Sequence, residues 1–342
     1  MHPARGAAGV TGACGWPATQ SPRFGHGVAM REPLRAAELL RVADESDARG
    51  SVMRRAARRG DLRQVRRGAY IGTDRWAGLE PDERHVLEVR AALAAVRTSA
   101  VASHRSAAAL WGLPVVGMRE RRVHLTFVGG SGADSRGAFA RHAAAGPLPE
   151  REVDGIRVTS VARTVVDLAR MGGFLTGVAA GDAALHRRLA TLDELRAEVE
   201  AAGSGRGVRQ ARDVVAFVDQ GGESPGESLS RVRMRDLGLP MPVLQHEVRD
   251  HQGFVGRVDF WWEELGVIGE FDGRSKYGVD GVVRSATDQL WDEKIREDRL
   301  RAAGARVVRW TWADAWLGAP MAARLAQAGV RGGWSARRAQ SP

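Results

Sequence analysis

Glu270 stands inside Val267-Ile268-Gly269-Glu270-Phe271, a run that is otherwise apolar, and Asp259 stands between Val258 and Phe260. Short apolar runs bounded by turn residues form strands that pack against a core. A carboxylate held in such a strand costs several kcal/mol unless it is paired or bound to a cation. These two acids therefore limit the last third of the chain to a strand-forming fold that also supplies positive charge to them.

The residues around them give the order helix, three strands, helix, strand. Ser224-Pro225-Gly226-Glu227 opens a helix that continues through Leu229, Val232 and Met234 to Leu237, with Gly238 just past its end. Strands are expected over 243–248 and 254–261, joined by a turn over 250–253, and over 267–271. A long helix over 285–303 stops at Gly304, and a last strand covers 306–311. Asp259 and Glu270, with ten residues between them, meet at one edge of a hairpin that turns at Glu263-Glu264-Leu265-Gly266. Glu227 either completes a set of three carboxylates or forms a capping box with Ser224. Asp272-Gly273 is either a further ligand or a turn. Such an oxygen-rich set suits Mg²⁺ or Mn²⁺, which neutralises phosphate charge and yields hydroxide near neutral pH.

With 342 residues the chain is too long for one core, so two or three domains are expected. The net charge is +10 and the isoelectric point about 11.0, a balance that favours a nucleic-acid partner. Lys276 and Lys294 are the only lysines, so the position of the arginines carries the information. Eight arginines and one acid, Asp61, lie between Arg49 and Arg67. On a helix over 51–60, Arg54, Arg55, Arg58 and Arg59 share an arc of about 140°, opposite Met53, Ala56 and Ala57. Together with a helix over 33–44 and a hairpin turning near Arg67-Gly68, this reads as a winged helix-turn-helix. Its second helix would enter the major groove, and Arg63, Arg66 and Arg67 would touch phosphate.

Residues 76–220 alternate helix and strand: helices over 81–96 and 159–171, Ser103 as cap for a helix over 105–111, and a strand over 122–128. His104, His124 and His142 lack the spacing of metal ligands and read as structural, so no chemistry is assigned to this region. Ala201-Ala202-Gly203-Ser204-Gly205 and Gly221-Gly222 are linker candidates. Cys14 is the only cysteine, which excludes disulfides and cysteine-based zinc sites and fits a cytoplasmic protein. No apolar run approaches the roughly 18 residues of a membrane helix, so no membrane partner is expected.

Two resemblances follow from these motifs. Gly60-Asp61-Leu62-Arg63-Gln64-Val65-Arg66-Arg67-Gly68-Ala69-Tyr70 resembles the end of the winged helix of AbiEi-type antitoxins, DNA-binding members of type IV toxin–antitoxin systems. Ser103-His104-Arg105-Ser106-Ala107-Ala108-Ala109-Leu110-Trp111-Gly112-Leu113 and Val158-Thr159-Ser160-Val161-Ala162-Arg163-Thr164-Val165-Val166-Asp167-Leu168-Ala169 resemble the same family in the expected order. That likeness implies DNA binding, autoregulation and a cognate toxin. The C-terminal pieces Ser224-Pro225-x-Glu227, Val258-Asp259-Phe260, Val267-Ile268-Gly269-Glu270-Phe271-Asp272-Gly273 and Lys294-x-Arg296-Glu297-Asp298-x-Leu300 resemble the PD-(D/E)xK nuclease superfamily, in its very-short-patch-repair branch.

The expected architecture is a mixed α+β and α/β multidomain chain. It comprises a tail over 1–30, a winged helix over 31–75, a mixed α/β region over 76–220, an αβββαβ restriction-endonuclease-like domain over 221–330 and a tail over 331–342. The nuclease resemblance implies Asp259, Glu270 and Lys276 as catalytic residues and Glu227, Asp259, Glu270 and Asp272 as ligands of Mg²⁺ or Mn²⁺. Asp272 stands where the superfamily has lysine, so Lys276 is the substitute cation. The alternatives are an antitoxin-like regulator whose nuclease fold only binds, and a protein directed to RNA.

Overall fold

The computed structural model describes residues 39–41, 48–96, 99–129, 139–144, 146–273, 286–302 and 304–332. The expectations placed on residues 1–30, on Lys276 and on residues 333–342 lie outside the described residues. The described residues form a mixed α/β assembly with three separate sheets.

The first sheet is small. Strand β1 (Leu40–Arg41) is followed by α1 (Ala48–Arg59), β2 (Leu62–Arg66) and β3 (Ala69–Gly72), in the sheet order β1-β3-β2. The basic helix and hairpin stand where the arginine periodicity placed them, with Gly60 at φ +89° ending α1. The helix expected over 33–44 is corrected at Leu40 and Arg41. They form a strand paired with Tyr70 and Ala69, because a sheet edge was available to them. Leu34, Ala37 and Val42 lie outside the described residues.

After α2 (Thr73–Ala77) and α3 (Pro81–Ala95) comes the second sheet. It is built from β4 (Ala100–Ala102), β5 (His124–Val128), β6 (Ala140–Ala144), β7 (Glu150–Val153) and β8 (Ile156–Thr159), in the order β6-β5-β4-β8-β7. Helix α4 (His104–Trp111) leaves the end of β4. Val89, Ala92, Ala107, Leu125, Phe127 and Val158 form the core between α3, α4 and the sheet. Helices α5 (Val161–Gly172), α6 (Phe174–His186), α7 (Leu192–Ala201) and α8 (Val208–Phe217) make a separate helical layer around Val165, Leu168, Val178, Leu195 and Val214. The 201–205 segment is the turn between α7 and α8.

The last third follows the expected order as α9 (Pro225–Asp236), β9 (Val243–Asp250), β10 (Gly253–Trp262), β11 (Val267–Asp272), α10 (Ala286–Ala302) and β12 (Arg306–Thr311), and adds α11 (Trp312–Leu317) and α12 (Ala319–Gln327). Its sheet runs β12-β11-β10-β9, with β11 and β12 parallel and the other pairs antiparallel. One face buries Leu229, Phe260, Phe271, Trp310, Met321 and Leu325, and the other packs Ile268 against Leu300 of α10. Two glycines permit this closeness: a Cβ on Gly226 would overlap the Phe271 ring, and one on Gly269 would lie 2.5 Å from Trp310.

The junction at Gly221-Gly222 is packed. A Cβ on Gly222 would lie 2.5 Å from the Asp182 carboxylate of α6. Asp182 accepts hydrogen bonds from Ser228 Oγ at 2.7 Å, Arg231 Nη1 at 2.7 Å and the amide of Asp219 at 2.8 Å, all buried or nearly so. This network fixes α9, and with it the start of the acidic site, against the helical layer. No described helix is long and apolar enough to cross a membrane.

Candidate functional site

Strand register gathers the polar residues. Phe260 faces Gly269 between β10 and β11, which sets Asp259 beside Glu270. Val258 faces His246 and Phe260 faces Leu244 between β10 and β9, which sets Asp259 beside Gln245. Glu270 is paired with Arg309 of β12. Cross-strand neighbours share a face, so Gln245, Asp259, Glu270 and Arg309 form one row across the four strands. Trp261, Ile268 and Val307 lie two residues along the same strands and pack with Leu300, so α10 covers this face. Gln245 has φ +53°, a left-handed backbone that costs a non-glycine residue on the order of 1 kcal/mol or more. In that conformation its Nε2 donates to Glu227 Oε2 at 3.0 Å.

Glu227 lies in the first turn of α9 and is 7% exposed. Its carboxylate also accepts from Ser224 Oγ at 2.6 Å and from the amide of Glu223 at 3.1 Å, while its own amide donates to Ser224 Oγ at 3.2 Å. The capping role is thus present, with the back-bond moved from the Ser224 amide to that of Glu223. Burial first, and then the charge of Asp259, push the Glu227 carboxyl up to about 7. Asp259 is half-buried, and its Oδ2 accepts from the amide of Phe271 at 2.9 Å. A carboxyl that titrates near neutrality beside a second acid is a common mark of a functional site.

Glu270 is 3% exposed and is neutralised by two arginines that sequence reasoning missed. Arg296 Nη2 donates to its Oε1 at 2.6 Å, and Arg309 Nη2 lies 3.1 Å from its Oε2. Burial raises the Glu270 carboxyl, and Arg296 and Arg309 oppose that shift. Arg309 also reaches Glu297 at 3.1 Å and Asp272 at 3.8 Å. Asp272 is exposed at the strand end. The signal for Arg309 was present in principle, since a strand adjoining Glu270 must place something beside it. The register that selects Arg309 is not a local property.

The donor set fits a hard divalent cation at Glu227 and Asp259, a buried and a half-buried acid close enough for the charge of one to raise the other. At Glu270 the arginines already balance the charge. The three carboxylates are linked through Asp259, whose charge raises both neighbours. Among the described residues, the set of three ligand-type side chains with atoms within 4.8 Å of one another is His104, His124 and His142. Those histidines, read from the sequence as structural, are brought together by the second sheet.

In the basic module, Arg55, Arg58, Arg59, Arg63 and Arg67 are exposed, and Arg54 is half-buried. Arg59 pairs with Asp61 at 2.9 Å, and Arg63 lies over the Trp76 ring at 5.1 Å. Arg66, read from the sequence as a phosphate contact, is the least exposed arginine of the hairpin. It is half-buried and lies over the Phe139 ring at 5.5 Å, and burial holds its guanidinium below the usual arginine value.

Comparison with known proteins finds two similar chains in Mycobacterium tuberculosis: uncharacterized protein MT2308 of strain CDC 1551 / Oshkosh and uncharacterized protein Rv2248 of strain ATCC 25618 / H37Rv. Each is 34% identical over 122 residues, or 36% of this chain. The chain spans 45% of the length of these relatives. No family model matches the chain.

Proposed function

We propose that the protein acts on DNA, docking through α1 and the β2–β3 hairpin and hydrolysing a phosphodiester bond at the acidic site of the C-terminal sheet. One observation carries the hydrolytic part: Glu227 and Asp259 place two acids in each other's field inside a buried site, which raises the Glu227 carboxyl to about 7. Like charges in a poorly solvated site call for a cation. The strand order and the motifs that resemble PD-(D/E)xK nucleases support the reading further. Glu227 and Asp259 would hold Mg²⁺ or Mn²⁺, joined by Glu270 if Arg296 gives way. When bound, such an ion neutralises phosphate and lowers the pKa of water. Arg296 and Arg309, held at Glu270, would offset the negative charge that builds on the phosphoryl oxygens, the part that the nuclease resemblance gives to Lys276. Asp259 is fixed by the Phe271 amide, and Glu227 by Ser224 and Gln245, so the acids are held in place before substrate arrives.

The test is nicking of supercoiled plasmid by the purified protein with Mg²⁺ or Mn²⁺. Wild type converts it to open circles, and Asp259→Ala does not; equal inactivity of both refutes hydrolysis. A second reading is favoured by the double neutralisation of Glu270: an antitoxin-like regulator that binds its operator, and a cognate toxin, without hydrolysis. It predicts sequence-specific DNA binding with no heat of Mg²⁺ binding by calorimetry.

A further inference from the structure

The second sheet brings His104, His124 and His142 to one place, and hydrogen bonding by itself leaves that cluster incomplete. His104 begins α4 at the end of β4, where Ser103 donates its amide to the His124 carbonyl at 3.1 Å. His124 and His142 lie on the parallel strands β5 and β6. Thr126 faces His142, so His124 is its diagonal neighbour on the same face. His124 Nδ1 lies 2.9 Å from His142 Nε2, and the His104 and His142 rings stack at 3.8 Å. His124 is 1% exposed, and its Nε2 is buried without a hydrogen-bond partner. A buried, unpaired ring nitrogen has a real cost. His104 is held at φ +50°, a backbone strain spent on bringing this ring to the cluster.

We propose that His104, His124 and His142 form the binding site of one divalent first-row transition-metal ion of the zinc class. Three imidazoles with no thiolate suit zinc, and also nickel or copper, far better than magnesium. The ligand must be the neutral ring. His104 Nδ1 lies 3.1 Å from Ser103 Oγ, which orients the ring, and Asp167, buried on α5, has Oδ2 3.9 Å from the same nitrogen. Its charge, with that of Glu198, offsets Arg163 and Arg170 beside the cluster. Zinc–nitrogen bonds of about 2.0–2.1 Å in a tetrahedron separate two nitrogens by about 3.4 Å. Bound through its unpartnered Nε2, His124 would keep Nδ1 as a donor, and His142, now 2.9 Å from that Nδ1, would turn out of its stack to reach the ion. His142, half-buried on the edge strand β6, is the ring with room to move. Bound metal would tie α4, β5 and β6 together, independently of the acidic site in the C-terminal sheet.

The experiment strips the full-length protein with a chelator and titrates it with Zn²⁺ against a chromogenic competitor. The expected result is one tightly held zinc per chain, with affinity lowered at least tenfold in His142→Ala and unchanged in Asp259→Asn. Circular dichroism of His142→Ala should match wild type, because the residue is on an edge strand. Cobalt substitution should give the intense visible bands of a four- or five-coordinate ion, and these should be lost in His142→Ala. No stoichiometric zinc in wild type overturns the proposal. So does equal binding by wild type and His142→Ala, or loss of binding in Asp259→Asn alone.

Discussion

Replacing Glu227 by Gln isolates the electrostatic cost built into the acidic site. In the folded chain the Glu227 carboxyl titrates at about 7 instead of its ordinary 4.5. Between those values the folded protein holds a proton that the unfolded chain has lost. Stability is therefore fully present below about pH 4.5 and falls as the pH rises towards 7. A shift of this size corresponds to about 3 kcal/mol. Gln has nearly the same shape but no charge. Its amide cannot accept all three hydrogen bonds that reach Glu227 from Ser224, Glu223 and Gln245, a loss of about 1 kcal/mol at every pH. Glu227→Gln should thus be about as stable as wild type at pH 5, where wild type has already lost nearly 1 kcal/mol, and more stable by about 2 kcal/mol at pH 8. Urea titrations followed by tryptophan fluorescence at the two pH values measure the crossing. The other raised acids cancel, because only the difference between the two proteins is read. Saturating Mg²⁺ at pH 8 should recover wild-type stability and leave the variant unchanged. Parallel pH curves for the two proteins would refute the account of the site as a charge-strained pair.

Three more outcomes follow from the structure. Gly226→Ala should lower stability by about 1–3 kcal/mol in thermal unfolding, since the added methyl overlaps the Phe271 ring and pushes α9 off β11. Arg296→Ala removes one of the two cations on buried Glu270 and should cost about 2–4 kcal/mol at pH 8. That loss should shrink at pH 5, where Glu270 can take up a proton; a pH-independent loss would argue against the pair. Arg55→Ala with Arg59→Ala should weaken DNA binding and reduce the slope of log affinity against log salt by about 2, as read by fluorescence anisotropy. An unchanged slope would remove α1 from the interface.

Local pattern was enough for much of the last third. Apolar runs of strand length gave β9 to β12, the Ser224 cap and Gly238 bounded α9, and Gly304, at φ +87°, closed α10. The acids inside those runs were visible for the same reason: a charged residue at a buried strand position stands out against its neighbours. The basic face of α1 was equally plain from its helical period. What a sequence carries in this way is information within about one turn or one strand.

The tertiary structure decided the rest, because it depends on pairing between distant segments. Leu40 and Arg41 became a strand because β3 offered an edge, although their local pattern favoured a helix. Strand register chose Gln245 and Arg309 as the neighbours of Asp259 and Glu270, and α10 brought Arg296 down on the same face. Helix α6 is built largely from small residues whose burial is set by the helices packed around it. Most of all, His104, His124 and His142 are separated by 20 and 18 positions and lie on a helix start and two strands. No local period links them. Only the β4–β5–β6 order closes the distance, and it turns three ordinary histidines into a possible ligand set.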